Sequence, residues 1–325
     1  MWIRADLQVH CSFHDDGRST PEQLWRHYSE AGYDAVYLTP HADLVGGHWA
    51  ELVRLCRNLP RRGARLFPGL EVAVKHDRGH LLAYGLPDIR SLENQALVGP
   101  VLAQRIVDKA RTASFSVAHP YGPRSWNWVE NPLTGSFGLE IMSGFQRDFS
   151  LEGASIHLWR RLWQDGATVS VRTGSDWHGN PLPFPTYATF LPVPVRWREM
   201  DWREQKHLVD LALARGWTAV SKNGSLAVLR LNRHPPGAII PRPRWGTNLA
   251  FDIWFRPGPR GSYRLALIRD DAIETPLWEK EVRVDDPSFG PYLWVTAIYS
   301  SPSRHYYWLY GEGSDYLYTT PILVT

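Results

Sequence analysis

Residues 2–41, WIRADLQVHCSFHDDGRSTPEQLWRHYSEAGYDAVYLTPH, decide how the first two thirds of the chain are read. WIRADLQVH reads as a strand and DAVYLTPH as another. STPEQLWRHYSEAG between them reads as a helix, with Ser19 or Thr20 as cap, Pro21 in the first turn and Gly32 as stop. Strand, helix and strand in so short a span predict a largely parallel sheet or barrel.

The alternation continues to about residue 232. Strands are expected at LFPGLEVAV, HLLAYGL, FSVAHP, FGLEIMSG, ATVSVRTGSDWH and TAVSKN. Helices are expected at HWAELVRLCRNL and near Val101 to Arg111, Glu152 to Asp165 and Trp202 to Arg215. Residues 233–248, RHPPGAIIPRPRWGTN, read as a linker, because proline removes backbone donors and fixes extended geometry. Residues 249–325 lose the helical period. Their short aromatic and β-branched runs, separated by Gly, Pro and Asp turns, predict a small antiparallel β-sandwich.

With 325 residues and 43% hydrophobic content, the chain can bury a large core. Its formal charge of +3 is nearly balanced, no basic stripe marks a nucleic-acid surface, and no apolar run spans a bilayer. Neither a nucleic acid nor a membrane is expected as a partner. Cys11 and Cys56 lie far apart without C-x-x-C spacing, so a reducing cytosol is expected, and no secretory signal is visible.

Side chains two apart on a strand point the same way, so Gln8 pairs with His10 and Asp176 with His178. His41, Glu71, His80 and His119 stand where predicted strands end, which is where barrel active sites gather. Imidazole and carboxylate together suit zinc, manganese or iron, and Glu71 is placed to bridge two ions. His27, His157 and His207, on apparent helices, read as ordinary structural or surface histidines.

The order DLQVH, DDG, TPH, GLE, GHLL, AHP and SDWH resembles the polymerase and histidinol phosphatase (PHP) family of metal-dependent phosphoesterases, over about residues 5 to 230. The resemblance implies a distorted barrel of about seven strands, and hence an α/β chain with a (β/α)7 TIM-like barrel over 1–232, the linker over 233–248 and the sandwich over 249–325. It implies metal ligands His10, Asp16, His41, Glu71, His80, His119, Asp176 and His178, with Asp15 the alternative to Asp16. Two or three divalent ions (Zn, Mn or Fe) and a small phosphate ester as substrate follow from it, in a cytoplasmic enzyme. Some relatives carry a C-terminal β-domain and act on non-phosphate esters.

Two departures stand out. Gln8 occupies the place of the family's first histidine, and Pro40 that of an aspartate before His41. Gln8 is read either as a weak, neutral ligand or as a donor to a substrate oxygen. The departures also fit a weakened relative that binds a ligand without turning it over. Lys75, Arg124, Arg147 and Arg172 fall near strand ends as candidate cations for a phosphoryl group, with Arg124 and Arg172 the stronger pair. His14 is a candidate proton donor to a leaving group, and Glu140 ends a strand with either role open. Trp245, Trp254, Trp278 and Trp294 leave carbohydrate binding by the C-terminal part as a further reading.

Overall fold

A computed structural model describes residues 1–73, 79–86, 114–121, 136–144, 149–179, 186–241, 248–270, 274–288, 290–299 and 304–325. The chain begins as the sequence suggests. β1 (Trp2–Val9) leads to α1 (Pro21–Glu30), which is closed at its start by a reciprocal Thr20/Gln23 capping box and turned out at its end through Ala31. β2 (Ala35–Leu38) returns parallel to β1. After the short α2 (Ala42–Val45), α3 (Trp49–Asn58) packs Leu52 and Cys56 inward and feeds β3 (Arg65–Pro68), parallel to β2.

The alternation then stops. LFPGLEVAV, expected as one strand, is split at Gly69, where a Cβ would lie 3.0 Å from Thr39 Cγ2 and 3.2 Å from Ala83 O. β4 (Leu70–Ala73) therefore leaves β3 and pairs antiparallel with β5 (His80–Tyr84). A single intervening residue cannot hold the crossover of a dozen or more residues that parallel strands need. β5 is again antiparallel to β6 (Ser114–Ala118), and in this sheet only β6, β7 (Ser136–Ser143) and β8 (Thr168–Gly174) run parallel, with α4 (Phe149–Gln164) crossing between the last two.

β9 (Ala188–Pro192) lies antiparallel to both β1 and β10 (Ala219–Ser221), with α5 (Trp202–Ala214) between them in sequence. Strand takes 44% and helix 23% of the described residues, which hold five α-helices. The expected (β/α)7 TIM-like barrel is thereby overturned. The chain is mostly β, built as curled mixed sheets. The helix expected near Val101 to Arg111 lies outside the described residues.

The C-terminal strands form two layers, paired antiparallel with one exception. One layer is β11 (Leu226–Leu231), β13 (Asn248–Arg256) and β16 (Tyr292–Tyr299). The other contains β14 (Gly261–Arg269), β15 (Trp278–Val284), β17 (His305–Gly313) and β19 (Ile322–Val324), with β12 (Ile239–Ile240) at its end, parallel to β19. Phe251, Phe255, Tyr263, Leu265 and Tyr307 fill the space between the layers. The sheets do not respect a boundary at residue 232. β11 precedes it yet pairs with β13, and β10 is hydrogen-bonded to β18 (Leu317–Thr319), which also pairs with β17. Tyr306, Trp308 and Tyr318 share one core with Trp159 and Trp163 of α4. Trp254, Trp278 and Trp294 are partly buried against these cores, as packing residues are, and Trp245 lies outside the described residues. No helix among the described residues is long and apolar enough to cross a membrane.

Candidate metal centre

The strand register gathers the histidines. Val9 bridges Trp177, so His10 N donates to Trp177 O at 2.9 Å and Asp176 N to Gln8 O at 2.9 Å. On the other side His41 bridges Glu71. β4 then carries the ladder to β5, which sets His80 opposite both Ala73 and Ala118, with His119 next along the chain. Ends of strands distant in sequence thus meet around one space.

Glu71 stands at its middle, buried, and its two oxygens face different partners. Oε2 lies 2.8 Å from His10 Nε2 and accepts from Gln8 Nε2 at 3.1 Å. Oε1 lies against His80 Nδ1 and 3.5 Å from His119 Nε2. Burial alone would raise this carboxyl, but His10, His119 and His80 overcome it and hold Glu71 well below the usual carboxylate range. Asp176 Oδ1 is 3.3 Å from His10 Nε2, and it too is held low, with burial outweighed by the contact to His10.

The adjacent aspartates divide their work. Asp15 is buried. Its Oδ2 meets His10 Nδ1 at 2.9 Å and its Oδ1 accepts from the His41 amide at 3.1 Å, so it fixes the ring of one histidine and the backbone of another. Asp16 is 51% exposed and lies 3.3 Å from His178 Nε2, 3.5 Å from His10 Nδ1 and 3.7 Å from His41 Nε2. Burial pushes His10 down, yet Asp15, Asp176 and Glu71 around it push harder the other way and hold it well above the ordinary imidazole value.

Three groups whose ligand atoms lie within 4.8 Å of one another result: His10, Asp16, His41 and His178; His10, Glu71 and Asp176; and Glu71, His80 and His119. Each could hold a metal ion. The buried donors suit one, because His80 Nε2 has no hydrogen-bond partner, whereas His10 Nε2 and His80 Nδ1 meet the carboxylates that would share the ion. Burying such an atom unpaired costs about 1–3 kcal/mol, which a cation would offset. Backbone strain is found here too: His119 and Asp176 have φ of 25° and 52°.

Gln8 is fully buried on the face of β1 between Asp6 and His10. Its amide donates to Glu71, while its Oε1 has no partner. Asp6, two residues earlier, fastens β1 to the loop after β8. It accepts from Ser175 N at 2.9 Å and Tyr28 Oη at 2.7 Å, and burial pushes its carboxyl up to about 6. Glu140 Oε2 accepts from the strained His119 amide at 2.9 Å, and burial pushes its carboxyl up to about 8.

Arg172 is not among these groups. Its guanidinium donates to Ser114 Oγ and, at 2.9 Å, to Leu213 O. Ser114 begins β6 whereas His119 follows its end, about 16 Å away at strand spacing. The buried Arg172 side chain reaches along the interior to the start of β6, a direction the spacing from SDWH does not reveal. His14 lies apart from the centre, exposed and stacked on His48 at 3.4 Å in a separate group with Glu51. Lys75, Arg124 and Arg147 lie outside the described residues. Asp6, the bracing of His10 and His41 by Asp15, already a candidate ligand, and the positioning of Gln8 behind Glu71 are the additions the structure makes.

No family model matches the chain, and no curated protein matches it. Among solved structures, an engineered protein shares 11% identity, covering 91% of this chain and 50% of its own, with a TM-score of 0.21. An endo-beta-1,4-mannanase double mutant from Cellulomonas fimi shares 13% identity over 92% of this chain and 57% of its own, with a TM-score of 0.19. This chain thus spans about half the length of either, and likenesses at that TM-score carry no argument.

Proposed function

We propose that the chain is a metal-dependent hydrolase of the PHP kind, acting on a small phosphate ester. The observation that carries this is Glu71, whose two oxygens address two separate sets of nitrogen ligands. The His10, Glu71 and Asp176 group and the Glu71, His80 and His119 group would share that carboxylate, and Asp16, His41 and His178 would hold a third ion nearer solvent. Zinc, manganese or iron suits these donors. Such ions, when bound, supply Lewis acidity and make a water acidic enough to attack at about pH 7.

The chain's own residues do the rest. Asp15 orients His10, Gln8 holds the inner oxygen of Glu71, and Glu140 fixes the backbone of His119. Half-exposed Asp16 and His178 mark the side from which substrate would enter. A non-phosphate ester of similar size is the second reading, favoured by the engagement of the Arg172 guanidinium elsewhere. Two free, buried thiols, Cys11 and Cys56, support a cytoplasmic location.

The test is elemental analysis of protein purified without added metal, followed by a panel of phosphomonoesters, phosphodiesters and carboxylic esters. Two or three ions with phosphoesterase turnover is the expected result. Turnover of carboxylic esters alone would select the second reading, and metal without turnover would leave a binding protein.

A further inference from the structure

At the end of the strands opposite the histidines, a cleft of about 400 Å³ opens between the end of α1, the loop before β3 and the start of α5. Asp34 precedes β2 and Arg65 begins β3, whereas His41 and Glu71 follow those strands. The cleft is therefore on the order of 15 Å from the metal centre along the sheet. Four arginines line it, Arg61, Arg62, Arg65 and Arg198, against a single acid, Asp34. That acid is already engaged. Its Oδ1 accepts from Arg198 Nη2 at 2.6 Å and its Oδ2 from the Arg4 amide at 3.0 Å. Among the described residues no carboxylate pairs with Arg61, Arg62 or Arg65.

The arginines are held in place. Gly63, at φ 92°, turns the loop against α1 at a point where a Cβ would strike the Ser29 side chain. Ser29 Oγ then accepts from the Ala64 amide at 2.9 Å and donates to Trp25 O at 2.6 Å. Arg65, 6% exposed, has one guanidinium nitrogen on Pro60 O at 3.2 Å. Burial, with the like charge of Arg61, holds Arg65 below its usual value, a repulsion that an anion would relieve. The floor of the cleft carries a second signal. Gln205 is buried and its Nε2 donates to Trp197 O, but its Oε1 has no partner. Guanidinium forks suit phosphate oxygens, and an unpaired amide oxygen suits a hydroxyl or N–H donor on the same molecule.

We propose that this cleft is a second binding site, separate from the metal centre, for a soluble phosphate-bearing molecule that also carries a hydrogen-bond donor. Arg61, Arg62 and Arg65 take the phosphate and Gln205 the donor. Its concave shape and size fit a small ligand more closely than a membrane headgroup layer.

The test is calorimetric titration of the full chain with inorganic phosphate as the probe, repeated on the double variant Arg61→Glu, Arg62→Glu and on Glu71→Gln. The two arginines are exposed, so the double variant is expected to keep its far-UV spectrum. Phosphate affinity at one site should fall at least tenfold in the double variant and persist in Glu71→Gln. Binding that is absent from the wild type, unchanged in the double variant, or abolished by Glu71→Gln would overturn the proposal. Co-sedimentation with vesicles containing a phosphoinositide, without binding of free phosphate, would overturn it in favour of a membrane ligand. If the metal-centre proposal fails instead, the Glu71→Gln variant loses no metal, and the arginine result stands by itself.

Discussion

Replacing Gln8 with methionine should weaken metal binding without unfolding the protein. The side chain is fully buried, and its one hydrogen bond among the described residues runs from Nε2 to Glu71 Oε2 at 3.1 Å. A hydrogen bond to a charged group contributes about 1.5–3 kcal/mol. At a factor of ten for each 1.4 kcal/mol, losing it should lower affinity for the ion held by Glu71 about 10- to 100-fold, the range seen when groups behind metal ligands are removed. Stability of the metal-free chain should change little. Methionine has nearly the same volume, and the change also removes Gln8 Oε1, a buried acceptor without a partner that costs about 1–3 kcal/mol. Affinity is read by competition with a chromophoric chelator and stability by urea unfolding in excess chelator. Unchanged affinity in a folded variant would refute the positioning role of Gln8. A loss of several kcal/mol in the metal-free chain would show that it serves the core instead.

Glu71→Gln should empty both groups that share this carboxylate while leaving Asp16, His41 and His178 able to hold an ion, so elemental analysis should fall towards one ion per chain. Asp6 gives a pH dependence. Its folded-state value of about 6 lies above the ordinary 3.8, so the protonated acid favours the fold; that contribution is complete below about pH 4 and is lost as pH rises through about 6. At about 1.4 kcal/mol per pH unit this loss amounts to about 3 kcal/mol, so between pH 4 and 7 the wild type, unfolded in chelator, should lose about that much more stability than Asp6→Asn, the slope from Glu140 being common to both. Truncation after residue 232 should give an aggregating or unfolded product by far-UV spectroscopy and sedimentation, because it strips β18 from β10 and uncovers Trp159 and Trp163.

Part of the candidate metal groups is legible because some of their spacing is local. Gln8 and His10, and Asp176 and His178, share a face by strand period alone, and chain order supplied the rest of the set. The fold was less legible because it turns on pairings that no local period encodes. A strand run such as LFPGLEVAV has the same hydrophobic pattern whether it stays with one sheet or changes sheets, and Gly69 decides by what crowds it from Thr39 and Ala83. The partnership of β10 with β18 joins residues about a hundred positions apart and likewise leaves no mark in either segment.

Side-chain roles fail at the same limit. Asp15 and Asp16 are chemically identical neighbours, and only the direction of each from the loop makes one a buried brace for His10 and His41 and the other a half-exposed partner of His178. Arg172 precedes SDWH closely in sequence, yet its long side chain reaches the far end of β6 and donates to Ser114 there. Gln8 shows the converse. Its strand position correctly turns it towards the centre, but what it does there depends on Glu71, whose oxygen it meets across 63 residues of intervening sequence. A residue that looked like a lost ligand is, by its contact, a support for the carboxylate that two ion sites would share. Its replacement by histidine therefore changes two things at once, adding a possible ligand and removing the brace, whereas methionine removes the brace alone.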